Sequence, residues 1–171
     1  MRFSTLRTEL GHFGFVGTSA RLLSTYLPRG KRDLLRCIQR DWPEAVETAD
    51  LLPRFRRELN DYFAGRTVRF TVSIDLSKQP PFFRAVYEAC RKVPYGKTAS
   101  YLDLARAAGS PNAARAVGQA MARNPMPLVI PCHRIVSADG SLGGFSSPRG
   151  LQLKSRLLRL ERGGGRMRDV A

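Results

Sequence analysis

Hydrophobic and polar positions along the first half of the chain alternate between two periods. Phe13-Gly14-Phe15-Val16-Gly17 and Ala20-Arg21-Leu22-Leu23 are short apolar runs that predict two strands joined by a turn. From Lys31 to Ile38, and again from Leu51 to Phe63, apolar residues recur at helical spacing, and Gly65 ends the second helix. Val68, Phe70, Val72, Ile74 and Leu76 alternate with polar neighbours, the pattern of a half-buried strand. These residues predict a small α/β unit over 1–79. Ser77-Lys78-Gln79-Pro80-Pro81 reads as a junction, because paired prolines continue neither a strand nor a helix interior.

The second half reads as mainly helical. Phe83, Val86, Tyr87 and Cys90 lie at i, i+3, i+4 and i+7 of a helix from Phe82 to Lys92, which places Cys90 in the core. Ser100 can cap a following helix that ends at Gly109. Ser110 can cap the next one, with Pro111 at its first position. Ala113, Ala114, Ala116, Gly118 and Ala120 keep that helix thin enough to approach another surface closely. Helix, short connection, helix is the helix-turn-helix pattern, although many such hairpins bind nothing. Leu128-Val129-Ile130 reads as a short buried strand, Ser137-Ala138-Asp139-Gly140 as a turn, and residues 142–150 as a glycine-rich loop. A last helix from Leu151 to Glu161 sets Lys154, Leu158 and Glu161 on one stripe, with Glu161 at the edge of its inward face. Residues 164–171 read as a loose basic tail.

Charge narrows the partners. Lys and Arg number 29 against 14 Asp and Glu, a formal charge of +15, which points to a polyanion: nucleic acid first, an anionic membrane surface second. The excess is larger after residue 79, with 15 basic and 5 acidic side chains against 14 and 9 before it. Three cysteines without a CxxC spacing predict no disulfide framework and a reducing compartment. With only His12 and His133, no metal site is expected. No apolar run nears the ~20 residues that span a bilayer. A soluble cytoplasmic protein is the expectation.

The chemistry is concentrated in Asn124-Pro125-Met126-Pro127-Leu128-Val129-Ile130-Pro131-Cys132-His133-Arg134. An apolar run stops at a proline and delivers a cysteine beside an imidazole and a guanidinium. Cysteine is a useful nucleophile as thiolate, and such neighbours lower a thiol pKa. Taken alone, the same cysteine also reads as a small hydrophobe closing a core strand. Consecutive residues of an extended segment point to opposite faces, so a bend after Pro131 or a bridging water is needed for Cys132 and His133 to cooperate.

This segment resembles the active-site motif of the O6-alkylguanine-DNA alkyltransferases, the suicide DNA-repair proteins. The resemblance begins near Phe82 and continues in order through Tyr95-Gly96-Lys97-Thr98, Ser100-Tyr101, Ala113-Ala114-Arg115-Ala116-Val117-Gly118, Asn124-Pro125, Pro131-Cys132-His133-Arg134-Ile135 and Leu157-Leu158-Arg159-Leu160-Glu161. It implies a ribonuclease H-like scaffold domain over 1–79. A winged-helix-like helix-turn-helix domain carrying the active-site Cys would follow over 80–163. Cys132 then accepts the alkyl group irreversibly, His133 acts as base through a water, and Glu161 holds His133. Asn124 is the hinge between recognition helix and active-site segment. Tyr101 presses on the target phosphate and donates a hydrogen bond to the base. Arg115 fills the space of the flipped nucleotide, and Ala114, Ser100 and Arg123 join it on DNA. Met121, Pro127, Ile135, Phe145 and Ser146 would wall the alkylguanine pocket. Phe145 stands where many members carry Tyr, which keeps stacking and removes a hydroxyl. The Ser147-Pro148-Arg149-Gly150 stretch is longer than in some members.

The implied activity is single-turnover transfer from O6-alkylguanine, with O4-alkylthymine a second possible substrate, on double-stranded DNA, by a monomer without cofactor or membrane. Three other readings differ in testable ways. A lesion-recognising alkyltransferase-like module would lack the reactive Cys, which is present as Cys132. A cysteine hydrolase would have few residues from which to build its usual triad. A simple helix-turn-helix regulator would leave Pro131-Cys132-His133-Arg134 idle.

Overall fold

The computed structural model describes residues 1–147 and 149–163. The tail expected over 164–171, and Pro148 of the long loop, lie outside them. The chain divides into two compact units between Asp75 and Leu76, a few residues ahead of the Pro80-Pro81 pair.

The first unit is a four-stranded sheet with helices packed on it. Strands β1 (Arg2–Thr8), β2 (Gly11–Gly17) and β3 (Leu22–Arg29) form an antiparallel meander, and the short β4 (Val46–Glu47) adds in parallel to β1, giving the order β3-β2-β1-β4. Residues 13–17 of β2 are all buried, so both faces of the strand are covered. Gly14 and Val16 meet Leu34 and Ile38 of helix α1 (Lys31–Asp41). Phe13 and Phe15 make ring contacts with Phe63 and Phe55 of helix α2 (Pro53–Phe63). Alternate residues of a strand face opposite sides, so the two helices lie on opposite faces of the sheet. A side chain at Gly14 would strike Leu34 at 2.8 Å, which is why α1 can lie so close.

Two elements differ from the sequence pattern. β1 has no counterpart in it: the inward positions of this strand include Ser4, and the partner that makes a buried Ser4 acceptable is Arg56 of α2, donating to its hydroxyl at 2.7 Å. Among the described residues the strand expected over Val68–Leu76 does not form beyond a single bridge from Ile74 to Leu22. Its apolar residues are half-buried as the alternation predicts, but the segment lies over α2, with Phe70 against Phe55 and Tyr62. Thr71 spends its backbone N–H on Glu58, and among the described residues ladder-like bonds join Leu22 to Ser73 and Asp75.

The second unit is built from helices α3 (Pro81–Arg91), α4 (Tyr101–Ala107), α5 (Ala114–Ala122) and α6 (Gly150–Glu161), with a two-stranded parallel pair, β5 (Ala99–Ser100) and β6 (Ile135–Val136). Val86, Tyr87 and Cys90 are fully buried, as the stripe on α3 requires, and the Tyr87 hydroxyl donates to Ala120 O of α5 at 2.9 Å. Ser100 caps α4 in a reciprocal box with Asp103. The cap expected at Ser110 is not made. Ser110 to Ala113 closes a turn through Ala113 N–H to Ser110 O at 2.9 Å, Pro111 occupies its second position, and α5 starts only at Ala114.

Candidate active site

The segment between α5 and β6 is not the buried strand its apolar composition suggests. Three prolines in seven residues, Pro125, Pro127 and Pro131, deny it a continuous ladder. Instead it folds back on itself: Pro127 bridges Ile130, and Leu128 takes a left-handed φ of 76°. Asn124 fixes this turn from inside. Its Nδ2 donates to Ile130 O at 2.8 Å and its Oδ1 accepts from Met126 N at 3.0 Å. Beyond Pro131 the chain winds into one short 3₁₀ turn, Cys132–Arg134, whose three residues are all buried. The bend that an extended reading lacked is this turn.

Behind it stands the end of α6. Leu153, Leu157 and Leu160 fill the core, and the same helix delivers a Glu161 side chain with no exposure, deeper than the edge position its spacing suggests. His133 Nε2 lies 2.7 Å from Glu161 Oε1. Arg134 donates Nε to Oε2 at 2.9 Å and Nη2 to Oε1 at 3.0 Å, and its Nη1 reaches Val93 O at 2.7 Å. Gly96 N–H adds a further bond to Oε2 at 3.0 Å. Gly96 has φ 71°, and a Cβ there would stand 3.0 Å from Glu161 O.

Burial alone would raise the Glu161 pKa, but the bonds and charges of His133 and then Arg134 outweigh it and bring it down to about 2. Burial moves His133 the other way, below its ordinary value, against the pull of Glu161. The pair at neutral pH is therefore a carboxylate and a neutral imidazole. An ionised Glu161 only accepts, so Nε2 must carry the ring proton and Nδ1 the lone pair.

Cys132 is the third member. Burial pushes its thiol above the ordinary value, opposed by a hydrogen bond from the Asn124 side chain and by the charge of Lys154. Here the structure corrects the expectation from sequence. The adjacent guanidinium does not serve the thiol, because Arg134 is committed to Glu161, and the cation acting on Cys132 comes from α6. Tyr101, at the first position of α4, is half-buried and electrostatically coupled to Cys132. The arrangement gives a sheltered sulfur nucleophile, a neutral base with its tautomer fixed, and an acceptor that steadies the base. Among the described residues no group of His, Cys, Asp and Glu could hold a metal ion, and no helix is long and apolar enough to cross a membrane.

Comparison with known proteins identifies the family. The "6-O-methylguanine DNA methyltransferase, DNA binding domain" profile matches residues 81–163. The constitutive methylated-DNA–protein-cysteine methyltransferase of Bacillus subtilis is 36% identical over 94% of this chain and 94% of its own. The chain belongs to the methylated-DNA–protein-cysteine methyltransferase family. The Methanosarcina acetivorans member is 33% identical over 94% of this chain and 98% of its own. Among solved structures, Mycobacterium tuberculosis OGT in complex with DNA superposes with a TM-score of 0.83 at 30% identity, over 98% of this chain and 96% of that one. The O6-methylguanine-DNA methyltransferase of Pyrococcus kodakaraensis gives 0.71 at 28% identity, over 93% and 98%.

The remaining positions singled out by the methyltransferase motif fall into two groups. Arg115 and Arg123 are exposed on α5 and at its end, Ala114 is half-buried on it, and Gly118 faces open space. Ser100 is occupied by the α4 cap. Met121 and Ile135 are buried, Pro127 and Phe145 half-buried, and Ser146 exposed. Sequence reasoning passed over three participants: Arg134 as a clamp on Glu161, Gly96 as its backbone donor, and Lys154. Lys154 alone left a signal, a lysine on the inward stripe of an amphipathic helix.

Proposed function

We propose that this chain repairs alkylated DNA by direct reversal, moving the alkyl group from O6 of guanine onto Cys132 in one irreversible event per molecule, without cofactor. The observation that carries this reading is the 2.7 Å bond from His133 to an ionised Glu161, next in sequence to a buried thiol. That bond leaves Nδ1 as the basic nitrogen. His133 takes the thiol proton, directly or through a water, and the sulfur attacks the alkyl carbon. As the S–C bond forms, the C–O6 bond breaks, its electron pair stays on the guanine oxygen, and a proton restores the neutral base. Tyr101 donates a hydrogen bond to the leaving guanine in this reading. The thioether product is beyond thiol exchange, so each molecule acts once.

A guanine inside a duplex hides its O6, so the nucleotide must be extruded. We assign α4, the 108–113 connection and α5 as a helix-turn-helix, with the scaffold unit ribonuclease H-like. Arg115 on the exposed face of α5 fills the vacated stack. Ala114, Ser100 and Arg123 lie against the backbone, and Met121, Pro127, Ile135, Phe145 and Ser146 surround the alkylated base. Readout of shape without base-specific contacts suits a monomer that must search any sequence, and the charge of +15 supplies the attraction.

The test is intact-protein mass after mixing with a duplex carrying O6-methylguanine, with Cys132→Ala as control. A gain of one methyl per protein, absent in the control, is expected. Tight lesion binding without mass gain would mean a recognition module instead.

A further inference from the structure

The proposed transfer commits the one O–H proton of Tyr101 to the departing guanine. The phosphodiester of the extruded nucleotide must also be held while the base sits against Cys132, and a second hydroxyl lies beside the first. β5 and β6 pair in parallel, Ala99 with Ile135 and Ser100 with Val136, so Tyr101 and Ser137 leave the pair side by side at the same end. Their side chains meet again over Gly143. A Cβ on that glycine would stand 3.2 Å from Ser137 Oγ and 3.2 Å from the Tyr101 hydroxyl oxygen, so the two oxygens lie no further apart than twice that distance. Gly143, with φ 62°, lacks the side chain that would fill the place where they converge.

Both residues are half-buried, and neither hydroxyl has a hydrogen-bond partner among the described residues. The Ser137 backbone is fully engaged: its N–H donates to Ser141 O and its carbonyl accepts from Gly140 N, each at 2.9 Å, which fixes the residue and leaves Oγ as its free polar atom. The carboxylates nearest in sequence face elsewhere. Asp103 closes the cap on Ser100, and Asp139 accepts from Ser141 N at 2.9 Å. Burial, and then Cys132, raise the Tyr101 pKa, so its hydroxyl stays a donor at neutral pH. Two donors without a competing carboxylate, on a chain of charge +15, suit an anionic oxygen. Hydrogen bonds of ordinary length to the oxygens of one phosphodiester span the gap between them.

We propose that Ser137 is a DNA-binding residue of the transfer reaction: its hydroxyl donates to a phosphodiester oxygen of the extruded O6-alkylguanine nucleotide and leaves the Tyr101 proton for the base. The inference rests on the alkyl-transfer reading. It divides two tasks between neighbouring hydroxyls. Loss of Ser137 is then felt at the phosphate, and loss of the Tyr101 hydroxyl at the leaving group.

The experiment compares wild type, Ser137→Ala and Tyr101→Phe, each checked for folding by urea denaturation. Each is given duplexes with one O6-methylguanine and one neutral methylphosphonate, set at either phosphate of the lesion nucleotide or at a remote position. Affinity is read in a Cys132→Ala background, so that the lesion survives, and single-turnover transfer is read at saturating protein. At one of the two lesion phosphates, the methylphosphonate should weaken wild type and Tyr101→Phe about tenfold relative to the remote duplex, the loss expected for a hydrogen bond to a charged oxygen. Ser137→Ala should bind the remote duplex about tenfold more weakly than wild type and lose nothing further at the lesion phosphate. Tyr101→Phe should instead slow transfer at saturation on every duplex. If Ser137→Ala does not fold, Ser137→Cys, close in volume and a much weaker donor, replaces it. A folded Ser137 variant with wild-type affinity, or one whose methylphosphonate loss equals that of wild type, overturns the proposal. Wild type that binds the lesion duplex but gains no methyl overturns the transfer reading instead, and the affinity comparison still decides for Ser137.

Discussion

Arg134 and Glu161 face each other through two parallel hydrogen bonds of 2.9 and 3.0 Å, with 8% and none of their side-chain surfaces exposed. A fork of this kind fixes both the charge and the orientation of the carboxylate, leaving Oε1 aimed at His133. Removing one member of a buried pair strands the other. Glu161→Gln should therefore cost about 3–5 kcal/mol in urea denaturation. Transfer should drop steeply even where the protein remains folded, since His133 loses its acceptor.

Acid should weaken the fold in two steps. His133 has a pKa lowered in the folded state, so below the ordinary value of 6.5 the unfolded chain binds a proton that the native one does not, and stability falls with pH. Glu161, with its pKa brought down to about 2, gives stability that is complete above the ordinary carboxylate value of 4.5 and lost as pH falls towards 2. Urea midpoints across pH should show both limbs, and His133→Gln should abolish the upper one. A flat profile between pH 7 and 5 in wild type would contradict a buried neutral imidazole.

Asn124→Ala removes a donor to Ile130 O, an acceptor for Met126 N and a bond that favours the Cys132 thiolate. The expected loss of stability is about 1–3 kcal/mol, the cost of stranding partly buried backbone groups. Transfer at neutral pH should slow by about tenfold for each unit that the thiol pKa rises. Single-turnover rates against pH would separate the two effects, because a thiol of raised pKa is rescued by alkali and a disordered turn is not.

Arg115→Ala tests the DNA-facing side. The residue is exposed, so stability should change by no more than about 0.5 kcal/mol. Affinity for duplex DNA should fall at every sequence, and if the contact is to phosphate the slope of log K against log salt should lessen by about 1. An unchanged affinity would remove α5 from the interface.

Periodicity was enough wherever burial follows one face. The stripe on α3 and the alternation over Val68–Leu76 have the exposure their spacing predicts, whereas α6 buries Glu161 more deeply than the edge position its spacing gives. What failed were inferences from residue to hydrogen-bond partner. The sequence pattern gave no sign of β1, whose buried Ser4 is satisfied by Arg56, a donor 52 positions away. Val68–Leu76 alternates like a strand, but which backbone lies alongside it depends on Glu58 and Leu22, which the alternation does not specify. Ser110 is as good a cap as Ser100, yet Pro111 closes a turn first. In the site, the ordered motif named Cys132, His133 and Glu161, but adjacency misassigned the thiol's cation. Arg134 is next but one in the chain and faces Glu161, whereas Lys154, 22 residues on, acts on the sulfur.

The carboxylate that steadies His133 is the last residue of α6, 28 positions after the histidine it serves. During synthesis, then, the cysteine leaves the ribosome well before the group that completes its environment. Until Glu161 emerges, His133 and Arg134 have no anion to bury against, and the reactive turn cannot settle. A chain stopped anywhere ahead of residue 161 lacks that anion, and its transfer rate should fall far below that of the full chain.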